Sequence, residues 1–262
     1  MKASSFLTAC LLVTALWGCS NTQENSLTDS QRLGIKSCSA RGEVAGEISE
    51  FGMFVTNQNG SAVDGNGDNA HVYLEHGLWN VPPIAIKSGQ TLQLFAYSPY
   101  MEGMTVTDIA VSLSSQTDYL YSKGQTVTYS SYTPDIELHH LLSKVTVKVN
   151  EERAENLSVS DYPESGSLNL FAGTLTKGNT LATVSGNGSG ILLFPGATDV
   201  TVTITYKGKQ YHYPLSVNLE PGKEYVYSLI LQENNKLEVG NVSVIAWVSG
   251  GDYDGTIEPE IL

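Results

Sequence analysis

Basic residues are scarce in this chain. Fourteen lysines and arginines face 27 aspartates and glutamates, for a net charge of −13, and the basic residues never cluster. Nucleic-acid binding needs a cationic footprint that displaces counterions, so that class is excluded. Long hydrophobic runs are also missing. The longest, within residues 6–18, falls short of the roughly 20 residues a membrane-spanning helix requires. No stretch carries a long apolar stripe at helical spacing, which argues against a helical protein. No fixed-period repeat is present, so a propeller or solenoid is not expected. The G-x-S-x-G elbow of serine hydrolases is absent. So is the HExxH spacing that sets two histidines on one helical face. Of the five histidines, His71 and His76 are five apart and His139 and His140 are adjacent, so neither pair converges on a metal.

Cysteine is nearly absent, and its three positions are informative. Residues 1–18 read as a signal peptide, with Lys2 before an apolar stretch of export-signal length. That stretch ends in "LWGC", which resembles a bacterial lipoprotein box and implies lipid attachment at Cys19. Several acyl chains, at about 0.8 kcal/mol per buried methylene, would make the anchor nearly permanent. Cys10 lies in the discarded segment and Cys38 is left alone. No disulfide is therefore expected in the mature protein, and packed cores must supply its stability. Residues 19–43 are polar and small, with little apolar periodicity, and are expected to form a flexible tether or leader.

What the chain has in abundance is Thr, Ser, Val, Tyr and Gly, arranged in short alternating runs. "SKVTVKV" (143–149) sets Val145, Val147 and Val149 on one face and Lys144, Thr146 and Lys148 on the other. "DVTVTITY" (199–206) repeats the pattern, and "YKGKQYHY" predicts a hairpin around Gly208. Further strands are predicted at "FGMFV" (51–55), "HVYL" (71–74), "TLQLFAY" (91–97), "MTVTDIAVSL" (104–113), "QTVTY" (125–129), "EYVYSLIL" (224–231) and "VGNVSVIAW" (239–247). One or two helical turns are expected in "IELHHLLSK" (136–144). About a dozen strands or more without intervening helices predict β-sandwiches, too many for one small sandwich. The expected division is an N-terminal sandwich over 44–138 and a C-terminal one over 139–262.

Three stretches carry a resemblance when taken in order. They are "LWNVPPIAIKSGQTLQLFAYSPY" (78–100), "DIELHHLLSKVTVKV" (135–149) and "NVSVIAWVSGGDYDGTIE" (241–258). Behind a lipoprotein signal, this set resembles the fimbrillins, the type V pilus subunits and accessory lipoproteins of Bacteroidetes. The resemblance implies an all-β fold of two tandem transthyretin-like β-sandwich domains. It implies no catalytic residues, no cofactor and no enzyme activity. It also implies outer-membrane anchoring through the lipid, followed by removal of an N-terminal segment by an Arg- or Lys-directed protease. Arg32 and Arg41 are then the candidate processing sites. Neighbouring fimbrial subunits are the expected partners, each supplying a strand to the groove so opened, with a host or glycan ligand further out. The alternative is a monomeric surface lipoprotein that binds glycans through exposed aromatics.

One stretch suggests a metal. "DGNGDNAHVYLE" (64–75) sets Asp64, Asn66 and Asp68 at the first, third and fifth positions of an EF-hand-like loop, with Glu75 at the twelfth. The sixth position is Asn69 rather than Gly, and the flanks are strand-like. Positions 7–12 alternate as a strand that would carry Glu75 away at about 3.3 Å per residue. A surface loop leading into a strand is expected, and no metal site.

Overall fold

Alternating side chains, frequent β-branching and closely spaced turn residues leave this chain one way to bury its apolar surface, in stacked sheets. A computed structural model describes residues 29–40 and 48–247, and all the regular structure there is strand apart from a single 3₁₀ turn at Gly65–Gly67. The first eleven strands are β1 (Ser30–Arg32), β2 (Ser37–Ala40), β3 (Glu50–Thr56), β4 (Ala70–Glu75), β5 (Leu78–Asn80), β6 (Ala85–Lys87), β7 (Thr91–Ser98), β8 (Ile109–Ser112), β9 (Leu120–Tyr121), β10 (Gln125–Thr128) and β11 (Asp135–His140). Then come β12 (Ser143–Val149), β13 (Glu152–Arg153), β14 (Asn156–Pro163), β15 (Ser165–Asn169), β16 (Thr174–Lys177), β17 (Leu181–Ser185) and β18 (Ile191–Leu193). The chain closes with β19 (Gly196–Tyr206), β20 (Lys209–Leu219), β21 (Lys223–Leu231) and β22 (Leu237–Ala246).

In the first half, an eight-stranded sheet runs β2-β11-β9-β7-β3-β4-β5, with β10 also on β7, while β1 pairs with β6. In the second half, one sheet runs β13-β12-β21-β22 with β18 on β12, and another runs β17-β14-β19-β20. A small sheet, β16-β15-β8, joins a strand from the first half to two from the second. The β19–β20 hairpin pairs eleven residues on each side. Its turn is the predicted one: Lys207 and Gly208 both adopt positive φ (50° and 71°), the twist that a two-residue hairpin turn requires.

The buried side chains form two clusters. One gathers Leu33, Phe51, Met53, Val55, Ile84, Ile86, Leu94, Ile136 and Leu138. The other gathers Val145, Val147, Leu157, Ile204, Tyr225, Tyr227 and their neighbours, and also takes Phe54, Phe95 and Tyr97 from the first half. Strands β3 and β7 thus feed both clusters, Phe51, Met53 and Val55 on one face and Phe54 on the other. That explains why "FGMFV" reads as a continuous apolar run: it is buried on both sides. The join is reinforced by Gln116, whose Nε2 donates to Leu113 O while its Oε1 accepts from Leu192 N at 2.6 Å.

Two expectations differ from the structure. Residues 136–140 extend as strand rather than turning as helix, with Ile136, Leu138 and His140 buried at period two. The expected boundary between 138 and 139 therefore falls inside β11. The tether expected over 19–43 also differs where it is described. Residues 29–40 hold two strands seated on the first cluster, because Leu33 and Ala40 find buried sites that local periodicity does not announce.

Candidate functional site

The N-terminal strands are bound much as a ligand would be. Across residues 29–40 the backbone is paired to distant partners. Ser30, Gln31 and Arg32 lie antiparallel to Lys87, Ile86 and Ala85, while Ser37–Ala40 run parallel to Asp135–Leu138. Between the two strands, Leu33 N donates to Ile84 O (2.9 Å), Gly34 N to Tyr132 O (2.9 Å) and Lys36 N to Pro134 O (3.0 Å). Leu33 is buried in the first cluster, and Ile35 and Cys38 pack against it. Burying Leu33 alone is worth about 2 kcal/mol.

The dependence runs both ways. Among the described residues, the ladder partner of Asp135–Leu138 is β2, because β9 pairs only with His139 and His140. Removing β2 would strip the backbone of β11 and uncover Ile136 and Leu138. The segment is also held from outside. Lys36 Nζ lies 2.9 Å from Asp135 Oδ2, Ser37 donates its hydroxyl to the same carboxylate, and Tyr129 donates to Asp29.

The Ser37 hydroxyl and then the Lys36 ammonium hold Asp135 below the usual carboxylate range. A lowered folded pKa means a stabilising contribution present above the ordinary aspartate value of about 4 and lost as pH falls through the folded one. Asp135 is exposed, so the effect is small. Acidification from pH 5 towards 3 should lower the melting temperature more in the parent chain than in Asp135→Asn, and equal slopes would remove Asp135 from the account.

Of the predicted processing residues, Arg32 is described and Arg41 lies outside the described residues, as does Cys19. Arg32 belongs to β1 and donates from its guanidinium to Val81 O (3.1 Å), with buried Leu33 directly after it. Cutting after Arg32 would remove β1 and leave β2 in place.

The aspartate-rich loop spends its donors locally. Asp64 caps the 3₁₀ turn, accepting from Asn66 N and Gly67 N at 2.9 Å each, and Asn66 Nδ2 donates to Pro83 O. Asn69 adopts φ +52°, the left-handed conformation of a turn residue. Its amide joins Met101 O (2.8 Å), while Tyr97 Oη lies 2.7 Å from its Oδ1. Glu75 sits at the far end of β4. The loop therefore serves as the connection from β3 to β4.

The histidines separate into distinct settings. His71 on β4 lies 2.8 Å from Glu50 and stacks on Tyr100 (4.1 Å between centroids). His140 is buried at the end of β11, with Nδ1 2.9 Å from Asp118 Oδ2 and its ring stacked on Trp247 at 4.2 Å. His140 Nε2 is buried with no hydrogen-bond partner, a cost of about 1–3 kcal/mol. No group of three or more metal-ligating side chains was found among the described residues. Neither the seat of β2 nor the His140–Trp247 stack could be read from local pattern, because both pair residues roughly a hundred positions apart.

Comparison with known proteins bears on the family and the fold. The fimbrillin-like family profile matches residues 41–247. No curated protein matches the chain. Among solved structures, a candidate cell adhesion protein from Bacteroides uniformis superposes with a TM-score of 0.63 at 19% identity, covering 82% of this chain and 99% of that one. Another from Bacteroides ovatus gives 0.55 at 20% identity, covering 79% and 90%. A third, from Bacteroides thetaiotaomicron, gives 0.51 at 12% identity, covering 80% and 98%. At such identities the likeness is one of fold. The profile match spans most of the sequence, and on that ground the chain belongs to the fimbrillin-like family.

Proposed function

We propose that this chain is a cell-surface fimbrial subunit or accessory component, exported as a lipoprotein through Cys19 and assembled by donor-strand exchange. In this reading the two buried clusters are the cores of two tandem transthyretin-like sandwiches. The observation that carries it is the seat of residues 29–40: a terminal segment that fills an apolar site and completes the ladder of β11. Once cut free, it would leave unpaired backbone beside an uncovered apolar face. A strand from another subunit satisfies both. With donor and acceptor on different surfaces of the subunit, such a contact would be head-to-tail and would propagate as a fibre.

Cleavage after Arg41 fits this role better than cleavage after Arg32, since only the former releases β2. The test is treatment of the purified chain with an arginine-directed protease, followed by gels and electron microscopy. SDS-resistant ladders and filaments should form in the parent and in Arg32→Ala, and should be lost in Arg41→Ala. A trimmed chain that stays monomeric would defeat the reading. If it also bound polysaccharide, through aromatics such as Tyr73 (42% exposed) beside the His71–Tyr100 pair, the glycan-binding alternative would replace it.

A further inference from the structure

Strand β11 touches both ends of the described chain. Its first four residues are paired by β2, and its last, His140, is the platform on which Trp247 rests. Trp247 stands directly after β22, a strand on which every residue is half-buried or exposed. Val239, Val242 and Val244 are each more than 40% exposed. Trp247 is by contrast 5% exposed, stacked on His140 at an interplanar angle of 21°, and its backbone N–H donates to Gly222 O at 2.9 Å. The backbone of β22 is laddered to β21 as far as Ala246, opposite Lys223, but its side chains bury little, so Trp247, clamped on His140, is the buried anchor at its end. The clamp stands on the strand that β2 completes.

We propose that β11 couples the two ends: seating of β2 keeps the His140–Trp247 clamp closed, and loss of β2 opens it, freeing the end of β22. This rests on the donor-strand reading and adds regulation to it, because the event that opens the groove also changes the C-terminal strand. The physical route is short. Without β2, Asp135–Leu138 lose their ladder partner, and β11 is left with the two-residue pairing of His139 and His140 to β9. The His140 ring makes one hydrogen bond, Nδ1 to Asp118, since Nε2 has no partner. Its placement therefore follows that of its strand, which without β2 is tied by the β9 pairing and by Leu141 N donating to Tyr119 O. Trp247 carries the consequence because its indole stacks on that ring. Coupling of this kind is reciprocal: whatever weakens the clamp must loosen β2 by the same factor.

Trp247 reports on its own burial. The full chain carrying Trp17→Phe and Trp79→Phe keeps it as the single tryptophan. In that background β2 is displaced without a protease. Ala40→Asp places a carboxylate at a buried position, and Ser39→Pro independently puts a fixed-φ residue in the strand paired to β11. Both variants should move Trp247 emission to longer wavelength and raise its quenching by acrylamide, with far-ultraviolet circular dichroism retained. Reciprocally, Trp247→Ala should speed labelling of Cys38 on β2 by a thiol reagent. Unchanged Trp247 emission in variants whose Cys38 has become reactive would overturn the proposal. So would a Trp247→Ala chain with parent-like Cys38 labelling. Neither measurement involves cleavage or assembly, so failure of ladder formation would count against the assembly reading and not against the coupling.

Discussion

Cys38 should react about a thousandfold more slowly with a maleimide at pH 8 in the intact chain than in the Ala40→Asp variant. Cys38 is a free thiol packed against the first cluster, and burial pushes its pKa up to about 12. The thiolate is the nucleophile. At pH 8 its fraction falls from about a quarter at an ordinary pKa near 8.5 to about one part in 10⁴ at 12. Cys10→Ser and Cys19→Ser leave Cys38 as the only thiol. Rapid labelling of the intact chain would mean that β2 is not held as described, and the assembly reading would lose its main support.

Gly52→Ala should destabilise the fold by about 3 kcal/mol, lowering the melting temperature by roughly 6–12 °C. Gly52 on β3 faces Tyr97 on the neighbouring β7, and the tyrosine ring lies flat over the place where a side chain would stand. A Cβ there would overlap the ring and lie 2.7 Å from its Oη. Tyr97 has little room to retreat. It is buried and stacked on Phe54, its hydroxyl is tied to Asn69 and Met101, and burial pushes its pKa up to about 12. Calorimetry checks this, and a change under about 1 kcal/mol would show that the ring moves freely.

How far the sequence could be read depended on the range of the interactions. Strands with neighbours close in sequence were legible, since their alternation is local. Val145, Val147 and Val149 face inward as expected, and the turn at Gly208 stands where two positive-φ residues were needed. Thr146, expected outside, is buried and donates to Glu224 at 2.6 Å, because β12 is covered on both faces. The period-two signal of β11 was present in Ile136, Leu138 and His140 but was masked by the helix-like "LHHLL". The seat of β2 had no local signature at all. Leu33, Ile35, Cys38 and Ala40 are too sparse to announce a strand; Leu33 and Ile35 lie between β1 and β2, and Cys38 and Ala40 become strand only through pairing with β11.

The parallel pairing of β2 with β11 also sets the order of events during folding. The contacts Lys36–Asp135 and Ser37–Asp135 close loops of 99 and 98 residues. No hairpin can bring those strands together, and the entropy of closing such a loop must be met before any pairing compensates it. The first strands synthesised are therefore among the last to dock. While β2 is still searching, the rest of the first half has its apolar seat open, and the proposed processing would restore that same state. Under the proposed assembly by strand exchange, each subunit would pass once through an assembly-competent form before it is meant to assemble. A tethered segment, present at high effective concentration, is what lets it reach its own seat before another chain does.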